Sequence, residues 1–171
     1  MKKITVEVSK CTGCGQCMMT CAFNKTGAFD LRRSHIRVVQ WEDICLSVPV
    51  VCRQCADAPC IEACPSRALS RHPVTGAITV DEDACTGCEA CVQECTYQVL
   101  RLSAEGIPVT CDLCGGNPAC VASCYPGALS FVELPDGAPD PLREVAAELV
   151  ARAAGKNVAP PEALRRKASL A

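Results

Sequence analysis

The chain of 171 residues has only two histidines, three phenylalanines, two tyrosines and one tryptophan. A core built from side chains alone wants more large apolar groups than that, so something other than aromatic packing fills the middle. The longest apolar runs fall well short of the roughly 20 residues a spanning helix needs, which leaves no membrane segment to assign. Net charge is only -2, and nothing global points to nucleic acid. Familiar catalytic signatures are missing too: no G-x-G-x-x-G, no P-loop, no plausible acid–base pair. His35 falls in a strand pattern and His72 precedes a proline, so both read as structural or exposed. The opening MKKITVEVSK alternates like a strand and has no small-residue cleavage site, so the chain reads as cytoplasmic.

Cysteine is abundant instead. There are 17, about one residue in ten, a density typical of disulfide scaffolds or metal proteins. Cytoplasmic thiols stay reduced, which favours metal. Sixteen of the cysteines form four groups of four. Group one is Cys11, Cys14, Cys17 and Cys21; group two is Cys52, Cys55, Cys60 and Cys64. Group three is Cys85, Cys88, Cys91 and Cys95; group four is Cys111, Cys114, Cys120 and Cys124. Groups one and three share the spacing C-x2-C-x2-C-x3-C, while groups two and four stretch the middle gap to four and five residues. The order is tight, stretched, tight, stretched. Cys45 is left over and reads as a buried small hydrophobe.

Thiolates at two-residue gaps let one loop curl around a corner of a cubane cluster. Gly13, Gly15 and Gly87 allow the backbone angles this needs and let amide groups approach the sulfurs. The fourth cysteine of such a group points away and ligates a second cluster in two-cluster ferredoxins. Four groups therefore imply four [4Fe–4S] clusters. Structural zinc uses separated C-x2-C pairs, often with histidine, and suits these triplets poorly. A disulfide framework needs an oxidising compartment.

Between the groups the pattern is ferredoxin-like α+β. ITVEV, HIRVVQW (35–41) and ALSFVEL (128–134) read as strands. Residues 68–80 and 99–111 read as hairpins turning near Thr75-Gly76 and Glu105-Gly106. Short helices are expected after the third cysteine of each group. PDGAPDP reads as a linker, followed by an amphipathic helix with Leu142, Val145 and Leu149 on one face and a basic tail. Trp41 reads as a packing residue, and Arg32-Arg33 and Arg165-Arg166-Lys167 as solvated charge.

The four groups, in this order, resemble the iron–sulfur subunits of the dimethyl-sulfoxide-reductase type over residues 3–133. Pro65 and Pro126 come just after group-ending cysteines, where the bacterial ferredoxin run also carries proline, whereas groups one and three have Ala22 and Thr96 there. The run CTGCGQCMMTCAFNKTGAF through QWEDICLSVPVVCRQC is most similar to the small subunits of tungsten aldehyde oxidoreductases and benzoyl-coenzyme-A reductases.

The resemblance implies that groups pair first with fourth and second with third. Cys11, Cys14, Cys17 and Cys124 would bind one cluster; Cys21, Cys111, Cys114 and Cys120 the next. Cys52, Cys55, Cys60 and Cys95 would bind a third; Cys64, Cys85, Cys88 and Cys91 the fourth. The spacing alone shows groups, and pairing of neighbours remains the rival. The implied architecture is two pseudo-symmetric ferredoxin-like modules, one inserted in the other. The outer module takes residues 1–48 and 104–134, the inner one 49–103, and the C-terminal arm 135–171. The implied function is non-catalytic electron relay from a large tungsten- or molybdenum-pterin subunit, oxidising aldehydes, toward a flavin subunit or other acceptor. Head-to-tail stacking of copies through the arm would extend the conductor. The alternatives are a free polyferredoxin shuttle, or service to a hydrogenase, formate or carbon-monoxide dehydrogenase.

Overall fold

A computed structural model describes residues 2–42 and 45–134. The amphipathic segment near Leu142 and the basic tail lie outside the described residues. Among these residues six short strands and four α-helices follow one another in the order β1 (Lys2–Val6), α1 (Gln16–Thr26), β2 (Arg37–Trp41), β3 (Leu46–Val50), α2 (Pro59–Glu62), β4 (Leu69–Arg71), β5 (Ile78–Val80), α3 (Ala90–Gln93), α4 (Ala119–Ala122) and β6 (Leu129–Glu133). This is a mixed α+β, ferredoxin-like chain.

The strands form three antiparallel pairs. β1 pairs with β6, from Lys2 opposite Glu133 to Val6 opposite Leu129, so the two ends of the described chain close on each other. β2 pairs with β3 and β4 with β5, each as a local hairpin. Helix α1 packs on α4, and α2 on α3. No helix among the described residues is long and apolar enough to cross a membrane.

Apolar packing is thin. Trp41 is the one aromatic among the fully buried side chains, beside Ile4, Ile36, Ile78, Leu113, Val48, Val50 and Val51. Phe23, Phe29 and Tyr125 are exposed. Cys17, Cys21, Cys52, Cys60, Cys91, Cys95, Cys111 and Cys120 are buried, so half of the grouped cysteines occupy the positions where large apolar side chains are scarce.

The structure differs from the sequence reading at four places. Each short helix contains the third cysteine of its group rather than following it: Cys17 in α1, Cys60 in α2, Cys91 in α3 and Cys120 in α4. Residues 99–111 do turn at Glu105-Gly106, with Ser103 N–H donating to Ile107 O and Val109 N–H to Arg101 O, both at 2.8 Å, but they pair through one isolated bridge, Leu102 to Pro108, rather than through two full strands. The segment LSVPV, which has no alternation, is nonetheless strand β3, buried at all five positions. Cys45 is exposed, not buried; it holds a left-handed backbone (φ 52°) in the tight connection between β2 and β3, where its side chain has no core to enter.

Candidate metal centres

All four cysteine loops share one backbone device. The residue just before the second cysteine is left-handed in each: Gly13 (φ 71°), Gln54 (φ 50°), Gly87 (φ 66°) and Leu113 (φ 57°). That turn aims an amide at the first sulfur. Gly13 N–H donates to Cys11, Gln54 N–H to Cys52 and Leu113 N–H to Cys111. A second left-handed residue precedes the third cysteine by two in three of the loops: Gly15 (φ 72°), Ala58 (φ 38°) and Glu89 (φ 64°). Group four has Pro118 there, and its longer loop makes the bend earlier, at Gly115 (φ 68°) and Gly116 (φ 100°).

The fourth cysteines also receive donors. His35 N–H donates to Cys21 Sγ at 3.3 Å, and Ala68 N–H to Cys64 Sγ at 3.3 Å. At Cys64 burial pushes the thiol up, but the Ser66 hydroxyl and the amides of Leu69, Ala68 and Ser66 outweigh it and hold the group below its usual value.

Sulfurs from distant groups come together. Cys11 feels the charges of Cys14 and Cys124, and Cys17 those of Cys11, Cys124 and Cys14. Cys120 feels Cys21 and Cys114, and Cys111 feels Cys120 and Cys21. Cys60 feels Cys52, Cys95 and Cys55. Cys91 feels Cys64, Cys85 and Cys88, and these four line one pocket with Leu69, Leu102 and Pro108. Further links join the sets: Cys120 feels Cys17 less than it feels Cys21 and Cys114, whereas Cys52 feels Cys111 ahead of Cys55 and Cys95.

Desolvation dominates the protonation state. Burial, then the charge of neighbouring sulfurs, pushes Cys17 up to about 11 and Cys60 and Cys120 up to about 12. For Cys52 and Cys111 burial again leads and the thiol reaches about 12, although an amide bond partly offsets it. Such thiols ionise at neutral pH only when a cation replaces the proton. Yet no three His, Cys, Asp or Glu side chains among the described residues meet at the spacing of a single metal ion. Converging sulfurs, amide donors aimed at them and room between them fit a multi-iron cluster.

Side chains that the spacing did not single out latch the loops. Arg71 Nη2 donates to the carbonyls of Cys55 and, at 3.0 Å, Ala56. Arg53, buried, donates to Ile4 O at 2.6 Å. Gln54, fully buried, donates to Cys111 O at 2.6 Å and accepts from Ile78 N–H at 2.8 Å. Arg101 donates to Ser34 O at 2.7 Å. Lys25 pairs with Asp112 at 2.5 Å, and Asp112 in turn accepts from Cys114 N–H at 3.1 Å. The usable signal was VPVVCRQC, in which two polar residues interrupt a run destined for burial. His35 is structural, as expected: its Nδ1 meets Thr110 O at 2.5 Å, beside Cys111. His72 is exposed and its Nδ1 accepts from the amides of Val74 and Thr75 in the β4–β5 turn. Trp41 is a packing residue.

Gly13 gives a direct test of the loop device. A Cβ there would lie 2.5 Å from Ser47 Oγ and 2.4 Å from Gln40 Nε2, on top of its left-handed backbone. Gly13→Ala is expected to cost at least about 1–2 kcal/mol, the left-handed penalty alone. Heating followed by visible absorbance would show cluster loss at lower temperature; an unchanged midpoint would contradict the account.

Amide-lined sulfur sites on short helix–loop units are the equipment of a ferredoxin-type electron carrier. A family model described as a 4Fe-4S dicluster domain matches residues 43–134, and one described as a 4Fe-4S binding domain matches residues 3–29. The chain is 44% identical over 123 residues to the aliphatic sulfonate oxidoreductase, polyferredoxin-like subunit of Pyrococcus furiosus, covering 71% of this chain and 70% of that one. It is 34% identical over 158 residues to the electron transport protein HydN of Escherichia coli strain K12, covering 76% and 87%. Among solved structures, a chain of the active site complex BamBC of benzoyl coenzyme A reductase, as isolated, aligns over 90% of both chains with 26% identity and a TM-score of 0.49. The chain therefore belongs to the 4Fe-4S dicluster ferredoxin family. It is an iron–sulfur electron-transfer subunit of oxidoreductase complexes, non-catalytic itself, and it carries four [4Fe–4S] clusters, a number that its sixteen grouped cysteines match.

Proposed function

We propose that the four clusters form one row and that the chain relays electrons along it between a catalytic subunit and a second redox partner. The ligand sets would be Cys11, Cys14, Cys17, Cys124; then Cys21, Cys111, Cys114, Cys120; then Cys52, Cys55, Cys60, Cys95; then Cys64, Cys85, Cys88, Cys91. The observation that carries this reading is the continuity of the sets: Cys120 feels Cys17, Cys52 feels Cys111, and α2 with Cys60 packs on α3 with Cys91, while each terminal set has an exposed cysteine, Cys14 and Cys88. A bound cluster supplies one-electron transfer with little change in shape; the protein supplies the spacing, the burial and the N–H donors that tune each potential.

The nested arrangement is part of the same proposal. The outer module, residues 1–48 and 104–134, is supported by the β1–β6 pairing and the α1–α4 contact. The inner module, 49–103, is supported by the β4–β5 hairpin and the α2–α3 contact. Residues 135–171 would form the C-terminal arm.

The catalytic partner we infer is a tungsten- or molybdenum-pterin subunit that oxidises aldehydes, with a flavin subunit at the other end, in the cytoplasm. Likeness to a polyferredoxin-like subunit of a sulfonate oxidoreductase supports an oxidoreductase partner. Stacking of copies is supported by unlike stretches: exposed Lys10 and Arg33 lie near group one, where Arg32 is paired with Asp30, and exposed Asp81, Glu82, Asp83 and Glu89 flank Cys85 and Cys88.

Anaerobic size-exclusion of the tagged chain from its own cells tests the reading. We expect co-elution with a large subunit carrying tungsten or molybdenum, and filaments of that fraction in the electron microscope. A chain eluting alone with its iron would favour the free shuttle, and compact particles only would remove the stacking.

A further inference from the structure

We propose that Gln54 is a positioning residue at the midpoint of the row, where its side-chain amide holds the loop of Cys52 against the loop of Cys111. The proposal rests on the reading that these two loops belong to adjacent clusters.

The first observation is a residue out of keeping with its backbone. The equivalent position in groups one and three is glycine, which the left-handed turn favours. At position 54 the same turn, φ 50°, carries a long amide side chain that is fully buried. The backbone device needs no side chain, so the amide serves something else.

The second observation is what the amide touches. Its Nε2 donates to the carbonyl of Cys111 at 2.6 Å, 57 residues away, and its Oε1 accepts from Ile78 N–H at 2.8 Å. Its own backbone N–H donates to the sulfur of Cys52. One residue thus bonds a sulfur of one set and the main chain of a sulfur-bearing residue in the next. Leu113, the counterpart in group four, is buried with an apolar side chain that can make no such link. Arg53 reinforces the join, donating to Ile4 O on β1 at 2.6 Å.

The third is electrostatic. Both loops carry sulfurs that would hold negative clusters, so the setting of each site depends on its distance from the other, which the Gln54 bond fixes. The Nε2 donor also turns a positive dipole toward the Cys111 carbonyl. Its loss leaves that carbonyl and the Ile78 N–H buried and unpaired. The two loops would then be free to shift against each other, and electron density added at either cluster would be less well stabilised.

Gln54→Leu and Gln54→Glu test this in the intact chain, prepared anaerobically and titrated electrochemically with electron paramagnetic resonance detection. Two of the four one-electron steps are expected to move to lower potential. The expected shift is about tenfold in the oxidised-to-reduced ratio at fixed potential, which is 59 mV for one electron. The other two steps should stay in place, and the magnetic interaction between the reduced central clusters should weaken. Gln54→Glu, which retains the acceptor for Ile78 but adds negative charge, should shift the same two steps at least as far. Trp41→Phe perturbs the buried β2–β3 hairpin instead and should leave all four steps where they are. Four unmoved steps in chains holding sixteen irons would overturn the proposal, as would four steps moving alike. If both variants fail to load iron, Gln54 is a folding residue and the proposal falls. A parent chain without iron would overturn the cluster reading itself, a result distinct from these.

Discussion

Stripping iron from the folded chain is expected to unfold it. Helices α2, α3 and α4 are four residues long, each too short to persist on its own, and each contains a cluster-group cysteine at its centre of attachment. The strands come in pairs only, and an isolated hairpin is marginal in water. Between these pieces lie buried sulfurs, with few large apolar side chains to hold them once the metal has gone. The free energy of metal binding is then folding free energy, as in small structural-zinc domains, where apparent values reach about 10–16 kcal/mol. Chelation under reducing, anaerobic conditions should release iron and far-ultraviolet circular dichroism together, in one transition. Retention of the native spectrum and of a cooperative melt by the iron-free chain would show that side-chain packing alone suffices.

The local half of this molecule was legible in its residues. Cysteine spacing identifies loops that wrap a cluster, and Gly13 and Gly87 advertise a left-handed turn because few other residues take it cheaply. Gln54 and Leu113 make that turn without advertising it: burial and, for Gln54, two side-chain hydrogen bonds compensate a strain that no local pattern reveals. Strand β3 was missed for a related reason. It is buried at every position, so the alternation that marks a half-exposed strand is absent. The turn at Glu105-Gly106 is where its residues place it, but the strands on either side shrink to a single bridge between Leu102 and Pro108. Long-range pairing was the least legible. Lys2 meets Glu133 and Cys11 meets Cys124 across more than a hundred residues, and spacing within a group says nothing about its partner group.

Replacing Cys111 with alanine is expected to cut the conductor in the middle while leaving its ends in place. Cys111 is buried, feels Cys120 and Cys21, and is itself felt at Cys52, so in the proposed assignment it stands at the junction of the second and third ligand sets. A [4Fe–4S] cluster takes four cysteine thiolates, and loss of one buried ligand should remove about four irons per chain. Electrons pass a series of carriers at the rate of the widest gap, and tunnelling falls exponentially with distance. Electrons supplied at the exposed Cys88 end should therefore reduce the two nearest clusters and stop there. Cys45→Ser is the control: Cys45 is exposed in a turn, its Sγ lying 3.9 Å from Glu42 O, and its loss should change neither iron content nor throughput. Rapid-mixing reduction followed by freeze-quench spectroscopy reads both quantities in each variant. A Cys111→Ala chain that still fills all its clusters from one end at the parent rate would mean that electrons bypass this junction, and the sites would then have to be wired in parallel rather than in series.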